Sequence, residues 1–177
     1  MAVRRMKQPT NEVELKELHK ILHDDPYRYL DIVDAWIEED PNDIEAYFDR
    51  HFAWVHLGKP QLALEDMNRV VEAHGGLLDF MGRGEIYRDL GDHERALEDF
   101  ARGEAIDPQE WADCQITLLY QADSHAQVGD LDAALACCAR LQDDFWTPGL
   151  NGAPAGGKAE IAATLRDIAA EAVRRKT

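Results

Sequence analysis

Two stretches of equal length carry one pattern: residues 50–67 read RHFAWVHLGKPQLALEDM, and residues 83–100 read RGEIYRDLGDHERALEDF. A shift of 33 residues places Leu57-Gly58 on Leu90-Gly91 and superposes the two ALED runs. A further shift of 38 residues brings Val128-Gly129 into the same register. Repetition at such a period is typical of arrays of short structural units.

Each unit has the pattern of a helix, a glycine turn and a second helix. Apolar residues recur at spacings of three and four through nearly the whole chain, which indicates amphipathic helices. Helix breakers such as Asp40-Pro41, Gly91 and Asp107-Pro108 fall between the periodic segments. The pattern predicts about nine short helices joined by tight turns. Because one helix pair cannot bury its own apolar faces, we expect the units to stack.

These repeats resemble the tetratricopeptide (TPR) family. In residues 77–110 the family's small, aromatic and proline positions are all matched: Gly84, Tyr87, Leu90, Gly91, Ala96, Leu97, Phe100, Gly103 and Pro108. Residues 44–76 depart by carrying His51 where a small residue is usual, and residues 115–145 lack the final proline. Residues 10–43 form a degenerate pair. The resemblance implies an all-α fold, a short right-handed α-solenoid of TPR-type helix pairs.

The two ends of the chain differ from this array, which covers residues 10–145. Residues 1–9 form a basic N-terminal tip, and residues 146–157 form a connector rich in Gly and Pro. Residues 158–177 predict a C-terminal helix with one apolar face. We expect this helix to cap the array, because the last unit would otherwise expose apolar surface. The alternative is that the helix docks in the concave groove.

The repeats also indicate which charges are structural. The two strong units each carry an Arg on the first helix and an Asp on the second: Arg50 with Asp66, and Arg83 with Asp99. The third unit has lost both charges together, with Gln121 and Cys137 in their places. Paired presence and paired loss predict an ion pair that joins the two helices of a unit. The alternative is that these charges are independent and solvated.

The chain is strongly acidic, with 35 Asp and Glu against 19 Lys and Arg, a formal net charge of −16. The charge of residues 8–157 alone is −21. Because such a polyanion repels phosphate backbones, we expect no nucleic-acid partner. No apolar stretch approaches the ~20 residues that span a bilayer, and the N-terminal stretch lacks the apolar region of a secretory signal. With an odd number of cysteines and no CxxC pair, these features predict a cytoplasmic protein with no membrane contact.

No motif in the sequence supports catalysis. Residues 152–158 match GxxxxGK, but Ala159 stands where a phosphate loop needs Ser or Thr, and no strand is predicted before the loop. His19 and His23 share a helix face but lack further ligands for zinc. We therefore expect a non-enzymatic protein with no catalytic residues, no cofactor and no metal.

The TPR resemblance implies that the first helices of the units line a concave groove. By register, the partner-binding residues are Glu45, Phe48, Phe52, Val55, Met81, Glu85, Arg88, Asp89, Leu119 and Asp123. They form an apolar strip edged by carboxylates, which suits an amphipathic segment with Lys or Arg near its apolar anchors.

The predicted function is therefore a protein–protein interaction module that binds a basic or amphipathic peptide or helix of a partner, as a chaperone or adaptor. Two alternatives stay open. One is a self-associating structural protein, a homo-oligomer whose groove is filled by its own terminal helix. The other is an acidic antagonist of a basic partner protein.

Overall fold

The computed structural model describes residues 8–149 and 152–176, so residues 1–7 of the predicted basic tip lie outside the described residues. The described part contains ten helices and two short strands. Their bounds are α1 Glu12–Asp24, α2 Pro26–Glu39, α3 Ile44–His56, α4 Pro60–Ala73, α5 Leu77–Asp89, α6 His93–Ile106, α7 Pro108–Asp113, α8 Gln115–Gln127, α9 Leu131–Arg140, β1 Trp146–Thr147, β2 Gly156–Gly157 and α10 Lys158–Arg175. The predicted all-α class is confirmed.

Aspartates at the helix starts account for part of the acidic charge. Five of them accept hydrogen bonds from backbone N–H groups of the first helical turn: Asp25, Asp43, Asp92, Asp107 and Asp130. Such caps satisfy donors that the helix leaves unpaired, and their charge is favourable at a helix N-terminus. These carboxylates define helix boundaries and are already engaged by the chain itself.

The chain divides after Gly75 into two compact units. The first unit holds α1 to α4, and its core includes Leu18, Tyr29, Val33 and Trp36. The second unit holds α5 to α10, with large side chains that are fully buried, such as Phe100, Trp111, Leu118, Ile161 and Leu165. In each unit the apolar stripes of neighbouring helices face one another, as the periodicity predicts.

Two glycines of the strongest repeat are required by close packing. A Cβ atom on Gly84 would lie 2.6 Å from the ring of Phe100, and one on Gly103 would lie 2.6 Å from the ring of Trp111. No real Cβ atom tolerates such distances, so the small residues at these positions let α6 approach its neighbours.

Both predicted ion pairs are confirmed. Arg50 donates from Nε and Nη2 to the two carboxylate oxygens of Asp66, at 2.9 and 2.6 Å. Arg83 makes the same bidentate contact with Asp99, at 2.7 and 2.9 Å. Each aspartate is only 2% exposed, so the alternative of independent solvated charges is wrong. Planar two-point contacts of this kind fix the orientation of one helix against the other.

Two elements were not predicted from the sequence. Helix α7 has six residues, too few to produce a recognisable period, and begins at Pro108 behind the capping Asp107. Strands β1 and β2 pair antiparallel within the connector, with Trp146 opposite Gly157 and Thr147 opposite Gly156. The described residues therefore contain one more helix than the periodicity predicts, together with a small strand pair.

Helix α10 caps the last helix pair, as predicted, because it packs against α8 and α9. At its start, Lys158 Nζ donates to the carbonyl oxygen of Leu141 at 2.8 Å, just past the end of α9. At its end, Lys176 Nζ donates to the carbonyl oxygen of Val128 at 2.8 Å, just past the end of α8. The lysine of the GxxxxGK match therefore has a structural role.

Candidate functional site

The first unit presents an aromatic face on α3, which we call the α3 aromatic face. Glu45, Phe48, Phe52 and Val55 follow one another at helical spacing, so all four lie along one side of α3. The rings of Phe48 and Phe52 meet edge to face with centroids 5.5 Å apart. Phe52 is 38% exposed and Glu45 is exposed, so apolar and acidic surface lie side by side here.

The side chain of His51 packs against the phenylalanines of this face and stabilises it. Its ring is buried, lies 3.9 Å from the ring of Phe52 and donates from Nδ1 to the carbonyl oxygen of Phe48. Burial lowers the pKa of His51 to about 4, so the imidazole is uncharged at neutral pH. The departure from the family pattern at this position therefore supports the two phenylalanines without adding positive charge.

Acidic groups next to the aromatic face repel one another. Burial, together with the charges of Glu45 and Asp43, raises the pKa of Asp49 to about 6. A cation placed nearby would relieve this repulsion.

The second unit carries the other six predicted residues on α5 and α8, and we call this surface the α5–α8 face. Arg88 Nε donates to Asp123 Oδ2 at 3.1 Å, and Arg88 Nη1 donates to Asp89 Oδ1 at 2.9 Å. The guanidinium also lies over the ring of Tyr120, 4.3 Å from its centroid. Arg88 is buried, so its charge interacts with groups of the protein itself.

This face is more enclosed than the register predicts. Of its six predicted residues only Asp89 is exposed, while Met81 and Glu85 are half-buried. Leu119 is fully buried and offers no surface to a ligand, which corrects the predicted lining. The reason is that α8 packs against five helices, α5, α6, α7, α9 and α10, and has little free surface.

A polar cavity of about 420 Å³ lies at one end of the α5–α8 face, and we call it the α5–α8 cavity. It is lined by Arg88, Asp89, His93, Asp123, Gln127 and Gly152. Asp123 is 2% exposed, and its Oδ1 atom has no hydrogen-bond partner among the described residues. His93 Nδ1 lies 3.4 Å from Ser124 Oγ, and burial lowers the pKa of this histidine.

Glu85 lies one helical turn from this cavity on α5. Burial and the charge of Asp89 raise its pKa to about 7, against the weaker opposing effects of Arg88 and a hydrogen bond with Thr117. Burial likewise raises the pKa of Asp89. The α5–α8 face therefore holds more carboxyl groups than its one arginine neutralises.

Three of the cavity residues are absent from the ten predicted ones: Gln127, which ends α8, His93 and Gly152. His93 begins α6 and lies outside the first helices from which the lining was mapped. Gly152 belongs to the connector, which has no counterpart in the other repeats and therefore no register to read. Arg88, Asp89 and Asp123 were already in the predicted lining, and Asp123 occupies the position of Glu85 in the preceding repeat.

The described residues contain no group of three His, Cys, Asp or Glu side chains placed to hold a metal ion. Among the helices of residues 8–149 and 152–176, none combines the length and the apolar character needed to cross a bilayer.

Comparison with known proteins defines the class of fold. No protein-family model matches the sequence, and no curated protein matches it. Solved structures do match, and they place the chain among TPR-type repeat folds, which confirms the resemblance seen in the repeats.

Three of these structures illustrate the likeness. A crystal structure of MamA has a TM-score of 0.64 and 15% identity, covering 95% of this chain and 98% of that one. A MamA RS-1 double mutant has a TM-score of 0.64 and 15% identity, covering 93% and 94%. A thermophilic TPR protein of Thermus thermophilus has a TM-score of 0.54 and 18% identity, covering 92% and 76%. At such identities the likeness is one of fold alone.

Proposed function

We propose that this chain is a non-enzymatic protein–protein interaction module that binds a basic or amphipathic segment of a partner, as a chaperone or adaptor. The observation that carries the proposal is the α3 aromatic face, where exposed Phe52 lies on the same side of the helix as exposed Glu45. The TPR-type fold supports the general role, since such arrays present helix faces to other proteins.

The chemistry of the face selects the partner segment. Phe48, Phe52 and Val55 offer apolar contacts to anchors spaced along a helix or extended peptide. Glu45 and Asp49 offer carboxylates to a Lys or Arg beside those anchors, which favours encounter with basic segments and disfavours acidic ones. Aromatic residues at the centre of an interface commonly contribute most of its binding free energy.

Affinity purification from the native cell, with Phe52→Glu compared to wild type, tests this proposal. Val13→Glu is the matched control, because Val13 is an apolar residue, 74% exposed, on a different helix, α1. We expect partners to be lost with Phe52→Glu and kept with Val13→Glu. Binding of the recovered partner should weaken tenfold or more for Phe52→Glu, about the effect of losing an aromatic anchor, and should weaken with salt.

Equal recovery with both variants would contradict the proposal, as would salt-insensitive capture of acidic partners. Self-association is the second candidate, favoured by the exposed side chains of Val13 and Leu15 on α1. In that case light scattering should show a larger mass at higher concentration for wild type, and Val13→Glu should abolish the increase. Helix α10 packs on both α8 and α9, as a cap of the last helix pair does.

We also propose a cytoplasmic location. The thiols of Cys114, Cys137 and Cys138 are all free, and burial raises the pKa of Cys137 to about 11. Free thiols are typical of a reducing compartment.

A further inference from the structure

The α5–α8 cavity has the charge distribution of a cation site. Its lining holds one positive group, Arg88, and two carboxylates, Asp89 and Asp123, while burial lowers the pKa of His93 and so favours its uncharged form. The lining therefore carries one net negative charge. An anion would meet both carboxylates, and the arginine is already held by them at 2.9 and 3.1 Å.

The helices around the cavity add to this negative field. Asp89 is the last residue of α5 and Gln127 is the last residue of α8, so two helix C-termini end at the cavity. The backbone carbonyls at a helix C-terminus carry a partial negative charge, which favours a cation. The N-terminus of α6 also lies here, but Asp92 caps it and accepts a hydrogen bond from the backbone of Arg95.

One buried acceptor atom of the cavity lacks a hydrogen-bond donor among the described residues. Asp123 accepts from Arg88 through Oδ2, whereas Oδ1 is buried and lacks a partner among the described residues. A buried carboxylate oxygen without a donor is unfavourable, and a charged donor satisfies it best. The space of about 420 Å³ falls within the range of clefts that bind small groups, roughly 300 to 1,000 Å³.

We propose that the α5–α8 cavity binds a cationic side chain, lysine or arginine, of the partner segment. The cation donates to Asp123 Oδ1 and lies near Asp89, and its aliphatic stem contacts the half-buried lining residues His93 and Gln127. This inference rests on the proposed function, because the partner supplies the cation. It adds a defined subsite to that function, in a different unit from the α3 aromatic face.

The test uses small probes and backbone amide NMR. Nα-acetyl-lysine methylamide and its arginine counterpart are titrated into the full chain, with Nα-acetyl-norleucine methylamide as the uncharged control. We expect saturable shifts of the amide signals of His93, Gln127 and Gly152 with the two cationic probes and no such shifts with norleucine. Equal shifts with norleucine, or shifts elsewhere only, would overturn the proposal and leave a cavity that holds water.

Variants assign the binding to the carboxylates. Asp123→Asn should weaken probe binding by about tenfold, the effect of losing a hydrogen bond to a charged group. Glu98→Gln removes one charge from the exposed side of α6 and should change binding less than twofold. Because Asp123→Asn also disturbs the contact with Arg88, Asp89→Asn serves as a second variant. Asp89 is exposed, and its loss should weaken binding by about threefold.

The results separate the two proposals. If Phe52→Glu loses the partner while Asp123→Asn and Asp89→Asn bind both probes and partner as wild type does, this inference is wrong and the proposed function stands. If the cationic probes bind in an Asp123-dependent way but Phe52→Glu retains every partner, the cavity is a cation site and the proposed function is wrong.

Discussion

The helix pairs α5–α6 and α8–α9 share a register but differ in what joins their two helices. In α5–α6 a bidentate contact between Arg83 and Asp99 crosses the pair. In α8–α9 the equivalent positions hold Gln121 and Cys137, and Gln121 instead donates to Glu104 at 3.2 Å. The pair α8–α9 therefore lacks an ion pair between its own two helices at these positions. Instead, α8 is hydrogen-bonded to α6 of the preceding repeat.

Helix α7 explains this exchange. It brings Trp111 into the core next to Gly103, and Trp111 Nε1 donates to Gln121 Oε1 at 3.2 Å. An arginine has no acceptor atom, so at position 121 it would leave the buried indole N–H without a partner. The spacing between the second and third repeats is five residues longer than that between the first and second. This insertion and the loss of the ion pair in the third repeat are therefore one structural change.

Removing the ionic link should have the largest effect. Arg83→Met would leave the carboxylate of Asp99 buried without its main partner, which we expect to lower the free energy of unfolding by about 3 to 5 kcal/mol. Urea denaturation followed by circular dichroism measures the change. Arg102→Met is the control, because this exposed side chain lies 3.6 Å from the same carboxylate, and it should cost less than about 1 kcal/mol. Similar losses in the two variants would show that the bidentate contact is unimportant.

Introducing the Arg–Asp pair at the equivalent positions of α8–α9 should have an intermediate effect on the free energy of unfolding. Cys137→Asp alone buries a carboxylate without a paired arginine and should lower the free energy of unfolding by about 3 kcal/mol. Adding Gln121→Arg should recover about 1 to 2 kcal/mol of this loss, with the rest retained because Trp111 loses its acceptor. A double-mutant cycle from denaturation curves checks the coupling. Strictly additive effects would contradict the proposed equivalence of the two pairs.

The smallest expected effect concerns the pH dependence of stability, and it depends on Glu85 of α5. Burial raises the pKa of Glu85 from 4.5 to about 7, so between these values the folded chain holds a proton that the unfolded chain has released. Stability should therefore fall as pH rises from about 4.5 to 7 and level off above 7. Glu85→Gln should remove on the order of 1 to 2 kcal/mol of this fall.

Thermal unfolding across that pH range measures the difference between Glu85→Gln and wild type. Glu98→Gln, on the exposed side of α6, is the control and should keep the wild-type slope. A wild-type slope in Glu85→Gln would mean that another group holds the proton.

The helix pairs and their ion pairs were predictable because each depends on a local pattern that the chain repeats. The same ion pair occurs at equivalent positions of two repeats, as Arg50 with Asp66 and as Arg83 with Asp99. Each occurrence therefore supports the prediction of the other. Register placed Arg88, Asp89 and Asp123 in the predicted lining, but their enclosure in a cavity was not predictable, because Gly152 lies in the connector and has no counterpart in the repeats. The pairing of Arg88 with Asp123 joins residues far apart in sequence, and no period in the chain relates them.

Hydrogen bonds from two lysine amines hold the two ends of helix α10. Lys158 donates to the carbonyl oxygen of Leu141, and Lys176 donates to that of Val128. Acylation of an amine removes its charge and two of its three N–H donors, so one chemical modification weakens both attachments of the cap. Lys20, exposed on α1, gives the reference reactivity of a lysine outside the cap. The ratio of labelling rates at Lys158 and Lys20 therefore reports how often the end of the array opens, and it does so without unfolding the chain.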